Sequence, residues 1–231
     1  MLLRALLPVR CPGCRALSPA AHGPCAACVP GLRPAPAGPR PAGLDACWSL
    51  FAYQDVGKAV VTSLKYRRDR AALAWLAAGM AALAAPPAGV VVTWAPTTAS
   101  RRRQRGFDQA ELLARAVARC WRAPCRPLLV RKAGLPQTGR SLTDRRQGPI
   151  LLARAGSWAA AAGRPVVVVD DVVTTGSTLA AAARALGHLD VSWIGALTAA
   201  RTPRVAASPP CVLGAPPQVE EFAQVPGPIG R

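Results

Sequence analysis

Residues 166–178 read VVVVDDVVTTGST, and two features of this run could do chemistry: the adjacent carboxylates Asp170 and Asp171, and the small loop Thr174, Thr175, Gly176, Ser177 and Thr178. A tight turn at a helix N-terminus presents backbone N–H groups and the positive end of the helix dipole, which favours an anion. Gly176 permits close approach, and the hydroxyls of Thr174, Thr175, Ser177 and Thr178 add donors, so the loop can wrap a phosphate without a lysine. Four consecutive valines show no polar alternation, which predicts a strand central in a parallel sheet and covered on both faces. Open α/β sheets bind ligands at the carboxyl ends of their strands. Asp170 and Asp171 are expected at that lip, pointing to opposite sides as successive strand residues do. The competing reading is a buried strand ending in a solvated acid pair, followed by an ordinary helix capped by Ser177 or Thr178.

A second constellation lies near the N-terminus, where Cys11, Cys14, Cys25 and Cys28 are spaced C-x2-C-x10-C-x2-C. Two close pairs of thiols, each closing a tight turn, favour tetrahedral zinc, with a metal-free loop as the alternative. Four thiolates leave no open coordination position, so the expected role of Zn2+ is structural. His22 lies between the pairs as a further candidate ligand, while Cys47, Cys120, Cys125 and Cys211 show no ligand pattern and read as ordinary thiols.

A third group is cationic. Val90–Val92 begin a buried strand, and the chain continues TTASRRRQRGFDQAELLARAVARC. The order reads strand, basic loop, helix, with Asp108 as N-cap and Glu111 three residues on in capping-box spacing. Arg101, Arg102, Arg103 and Arg105 are then expected in a loop at a strand's carboxyl end, where they can neutralise a pyrophosphate.

The 166–178 segment resembles the phosphoribosyl pyrophosphate (PRPP) motif of type I phosphoribosyltransferases. The cysteine knuckle, Leu64-Lys65-Tyr66, the block from Arg103 to Ala114 and this motif, in that order, resemble the ComF family of phosphoribosyltransferase-like proteins across about residues 8 to 201. The resemblance implies an α/β fold, a parallel sheet flanked by helices with a small N-terminal zinc knuckle of four cysteines. It implies that the acid pair holds the ribose hydroxyls, with Mg2+ nearby, and that the loop 174–178 holds the 5′-phosphate. It further implies a mobile hood before the motif, to which Gln137, Thr138, Arg140 and Arg145 are assigned, with a solvated surface loop as the alternative. Two positions depart from the family pattern: Asp108 and Gly148 each stand where relatives usually carry Asn. Two functions follow, a Mg2+-dependent phosphoribosyltransferase with an unknown acceptor, or a scaffold that binds single-stranded DNA during DNA uptake.

The remaining sequence must position these groups. The segment 1–43 ends in a Pro/Gly stretch, VPGLRPAPAGPRPAG from residue 29, which reads as a semi-rigid linker without core-forming residues. The phosphoribosyltransferase-like domain is set at 44–201 and a Pro-rich tail, expected to be disordered, at 202–231. Within the domain a strand is predicted near Trp48–Tyr53. A helix bearing Val56, Val60, Val61 and Leu64 follows, then an Ala-rich helix over about 71–85, a helix through Ala180–Leu186 ended by Gly187, and a strand over Val191–Leu197. The six tryptophans mostly fall within these elements, as core residues do.

The chain has 29 Lys+Arg against 11 Asp+Glu, a net charge of +18 that suits phosphorylated metabolites, nucleic acid or acidic surfaces, although compositional bias toward Ala, Gly, Pro and Arg supplies part of it. With only 5% aromatic residues, a base-stacking platform is disfavoured. No run of about 18 apolar residues is present, which disfavours a membrane span. The short apolar start at Met1–Val9 lacks a cleavage site, so a cytoplasmic protein is expected.

Overall fold

The computed structural model describes residues 10–18, 23–67, 70–132 and 149–203. His22, Gln137, Thr138, Arg140, Arg145, Gly148, Cys211 and the tail beyond Pro203 lie outside them, and the Lys65 and Tyr66 side chains are likewise not described.

The valine run needs apolar cover on both faces and a partner at both edges, and it has them. Strand β5 (Pro165–Val173) lies between β6 (Trp193–Arg201) and β2 (Val91–Trp94), with β1 (Ala46–Ala52) beyond β6, in an all-parallel sheet of order β1-β6-β5-β2. Val167 and Val169 pack into one core with Val92 and Leu197, while Val166 and Val168 pack into a second core with Val91 and Ala196. All four valines are fully buried, each adding roughly 1.5–3 kcal/mol of apolar burial.

The first core is covered by three helices: α1 (Asp55–Arg67), α2 (Arg70–Ala82) and α4 (Gln109–Cys120). Val60, Val61 and Leu64 of α1 meet Leu76 and Met80 of α2 and Leu113 and Val117 of α4, the one-face pattern read from the sequence. The second core is covered by α6 (Ser177–Gly187), the short α5 (Trp158–Ala161) and an antiparallel ribbon of β3 (Leu129–Arg131) and β4 (Leu151–Ala153). Leu129 and Leu151 turn inward from the ribbon, while Val130 and Leu152, paired across it, stay exposed.

Two expectations are corrected. The strand carrying the acids does not stop at them, because β5 continues alongside β6 until Val173 faces Arg201. The Pro/Gly stretch after the cysteines does contribute to the core: Leu32 is buried with Phe51 and Val60, Ala52 N–H donates to Arg33 O at 2.9 Å, and Arg201 reaches Pro39 O at 3.4 Å. Proline-rich chain packs here because its carbonyls remain free to accept bonds even where its N–H groups are missing. Leu32→Ala is therefore expected to cost about 2–3 kcal/mol in urea unfolding with an unchanged m-value, where an exposed linker position would change stability by less than about 0.5 kcal/mol.

Candidate functional site

The site forms where β5 outlasts its neighbour. β2 pairs with β5 only as far as Trp94 opposite Val169, and Ala95 N–H adds one more bond to Val169 O at 3.1 Å. From there the chain after β2 leaves toward α4 on one face of the sheet, and the chain after β5 leaves into α6 on the other. Crossovers that diverge at the carboxyl end of a parallel sheet mark the place where such folds hold ligands.

Asp170 and Asp171 stand at this end of the sheet, both partly exposed. Asp171 N–H donates to Asp170 Oδ1 at 2.8 Å, which fixes the first carboxylate against its own backbone. Asp170 lies in register with Thr198 of β6, whose buried hydroxyl shares a 2.7 Å bond with Ser49.

The loop 174–178 carries α6. Gly176, rather than Ser177 or Thr178, is the N-cap residue, at φ 80°, in the left-handed region that favours glycine. A Cβ at Gly176 would lie 2.8 Å from Pro41 Cγ, so the Pro-rich segment forms the wall behind the loop. Thr175 Oγ1 accepts from Ser177 N–H at 3.3 Å and donates to Ser177 Oγ at 3.1 Å, which draws the turn closed. Thr174 and Thr175 remain exposed on its outer side.

The arginine cluster lies on a helix and not in a loop. Thr98 caps α3 (Ala99–Arg105) by accepting from Arg101 N–H at 3.2 Å, and Gly106, at φ 78°, ends it. Cations in the last turn complement the helix dipole, so a run that reads as loop from its composition forms nearly two turns. The helix also divides the arginines. Arg101, Arg102 and Arg103 are all exposed, Arg102 lying 3.8 Å from Glu111, while half-buried Arg105 donates through Nη1 to Gln109 Oε1 at 2.7 Å. Glu111 also takes a 2.9 Å ion pair from Arg115.

Asp108 caps α4 as its spacing predicts, accepting from Ala110 N–H at 3.1 Å. Its other oxygen accepts from Thr97 N–H at 2.8 Å, a bond no sequence pattern announces. Burial pushes the Asp108 carboxyl up from the ordinary value, against the lowering effect of the N–H groups of Thr97, Glu111 and Ala110.

Arg131, the last residue of β3, was not among the expected site residues. Its Nη1 donates to Pro96 O at 3.2 Å. Burial and then the charge of Arg101 lower its pKa, while Asp170 and Asp108 oppose the shift, so its guanidinium sits in the field of all three. A lone arginine closing the apolar run LLV gives no periodic signal, and only the ribbon's position reveals it.

The four knuckle cysteines form a separate centre whose sulfurs all lie within 4.8 Å of one another. Zinc–sulfur bonds of about 2.3 Å in a tetrahedron place sulfurs about 3.8 Å apart, and Cys14 and Cys25 Sγ are 3.7 Å apart. Burial of Cys11 is outweighed by the backbone N–H groups of Cys25, Cys14 and Gly13, which bring its thiol down to about 6. Burial and the neighbouring sulfurs push Cys28 up to about 12. Such a group could hold a metal ion, which relieves that mutual repulsion. A Cβ on Gly13 would be 3.0 Å from Cys28 Sγ and 3.2 Å from Val56, so the knuckle packs directly on the start of α1.

Three comparisons bear on this arrangement. Residues 143–209, which span β4 through β6 and include the acid pair and the loop, match the model of the phosphoribosyl transferase domain. The chain is 28% identical over 141 residues to the competence protein ComFC of Bacillus subtilis (strain 168), covering 60% of this chain and 56% of that protein. It also resembles the structure of the allosteric regulatory enzyme of purine biosynthesis, with a TM-score of 0.36 and 18% identity over 62% of this chain and 26% of that one.

Proposed function

We propose that this chain, which is ComF-like and carries a phosphoribosyltransferase domain, binds Mg2+–PRPP at the crevice beside β5 and transfers its phosphoribosyl group to an acceptor. The observation that carries the reading is the sequence of groups along one edge: a carboxylate pair on a strand with an open side, then a closed hydroxylated turn at a helix N-terminus. The domain match over residues 143–209 supports it. In this reading Asp170 and Asp171 hold the ribose 2′- and 3′-hydroxyls beside Mg2+, and Thr174 to Thr178 hold the 5′-phosphate. Breaking the bond from C1′ to pyrophosphate puts positive charge on the ribose ring and negative charge on the leaving group. Mg2+ would neutralise charge on the pyrophosphate, and Arg101 and Arg103, exposed on α3, are the cations best free to meet it. Arg105, half-buried and bonded to Gln109, contributes less than the sequence suggests.

Replacing both Asp170 and Asp171 by Asn should abolish Mg2+–PRPP binding in calorimetry. Unchanged affinity would remove the proposal, and pyrophosphate release with candidate acceptors tests turnover. We assign Zn2+ to Cys11, Cys14, Cys25 and Cys28, in a structural role. Metal analysis should find one zinc per chain, and stripping it should lower the melting temperature while leaving the secondary structure of the sheet intact.

A second reading, binding of single-stranded DNA, is favoured by the name of the relative ComFC and by the exposed arginines of α3. Its signature is an affinity that falls steeply with salt as counterions are released, and a flat response excludes it.

A further inference from the structure

Helix α3 is tied to α4 by Arg102 with Glu111 and Arg105 with Gln109, and its entry is set by the four residues that lead out of β2. Each of these is held. Ala95 N–H is bound to Val169 O at 3.1 Å, and Pro96, which has no N–H, is held through its carbonyl by Arg131 at 3.2 Å. Thr97 N–H is held by Asp108 at 2.8 Å, and Thr98 caps the helix itself at 3.2 Å. The two side-chain anchors come from distant elements, Asp108 from the start of α4 and Arg131 from the end of the ribbon strand β3.

We infer that Asp108 and Arg131 are positioning residues: together they lock the turn Ala95–Thr98 and thereby aim the arginine helix at the acid pair of β5. The inference rests on the PRPP reading for its functional readout only.

A helix cap needs one acceptor oxygen. Asp108 uses both, one on Ala110 N–H within its own helix and one on Thr97 N–H across the gap. A single carboxylate therefore joins the first turns of α3 and α4. Asparagine would keep one oxygen for the cap but turn a donor toward the second N–H, so Asp108→Asn separates the two roles. Charge placement agrees with this geometry. Among the described residues, the charges that act on Arg131 are those of Arg101 on α3, Asp170 on β5 and Asp108 at the start of α4, so the guanidinium that holds Pro96 feels both the arginine helix and the first acid of β5.

The cost of this device is a buried anion. Because the folded protein holds the Asp108 proton more tightly than the unfolded chain does, stability falls as pH rises from the ordinary carboxyl value of 3.8 through the raised one. At neutral pH the charge is therefore unfavourable, and its removal in Asp108→Asn offsets part of the cost of the lost Thr97 bond.

The test uses the full chain and three variants: Asp108→Asn, Arg131→Met and Arg131→Lys. Amide hydrogen exchange by NMR should show Thr97 exchanging at least about tenfold faster in Asp108→Asn while Ala110 stays protected. In calorimetry with Mg2+–PRPP and, separately, ribose 5-phosphate, Asp108→Asn and Arg131→Met should weaken PRPP about tenfold and ribose 5-phosphate less than about twofold, with Arg131→Lys recovering part of the loss. Equal Thr97 exchange in wild type and Asp108→Asn overturns the inference. So does an equal loss of both ligands accompanied by a lower melting temperature, which is the result of a merely structural role. If the wild type binds neither ligand, the PRPP reading fails and the exchange comparison alone decides whether the turn is locked as inferred.

Discussion

The difference in length between β5 and β2 is the constraint on which the rest of the site depends. Both strands start together, with Val166 beside Val91, but β2 ends after Trp94 while β5 runs on to Val173 with β6 alone as its neighbour. A strand buried on both faces and paired on both edges has no room for carboxylates. One that loses a neighbour halfway can carry two, because water and ligand reach them from the vacated side. The valines therefore anchor the acids: the fully buried Val166–Val169 fix the strand's register, and one residue of slip would exchange the faces of every side chain beyond them. The crossovers diverge from this point, since α4 and α6 pack on opposite faces of the sheet.

The walls of the crevice come from chain that is distant in sequence. Behind the loop stands Pro41, close enough to Gly176 that no Cβ fits between them. This part of the N-terminal segment is held in place by Leu44 N–H on Pro41 O at 3.3 Å and by the 2.7 Å bond from Asp45 N–H to Ile194 O. Upstream, the same segment buries Leu32 and begins at the cysteine knuckle, whose turn rests on Val56. A metal that orders the four sulfurs would thus also order the segment packed behind the 174–178 loop, through continuous packing. This gives the cysteine group a physical connection to the loop that precedes α6.

Much of this was legible in the sequence, and the exceptions have a common cause. The valine run announced a central strand because four consecutive β-branched apolar residues suit extended backbone covered on both faces, and the parallel sheet follows the expected α/β pattern. The cap at Asp108 and the apolar face of α1 were legible because they are local periodic signals. The arginine helix was missed because seven residues rich in cations carry no amphipathic period, although Thr98 and Gly106 bracket them as cap and stop. Leu32 was read as linker because proline-rich composition describes backbone stiffness and says nothing of what lies alongside. Arg131 and the second bond of Asp108 depend on which strand end meets which helix start, information that exists only once the ribbon has packed.

The charge surplus also changes meaning once the arginines are located. A net charge of +18 invites a polyanion, but several of the cations nearest the crevice are engaged within the protein. Arg201 is buried and bonded to Pro39 O and Cys47, Arg131 to Pro96 O, Arg105 to Gln109, and Arg115 and Arg102 share Glu111. Guanidinium suits these places because it stays charged when half buried and its planar fork serves backbone carbonyls that a compact ammonium meets poorly. Among the described residues, the exposed cations of α3 are Arg101, Arg102 and Arg103, with Arg102 near Glu111. A small, oriented set suits a pyrophosphate, whose charge lies within a few ångströms. A polymer backbone would instead draw on cations spread over a wide surface. Placement, more than total charge, distinguishes the cations along this edge of the sheet.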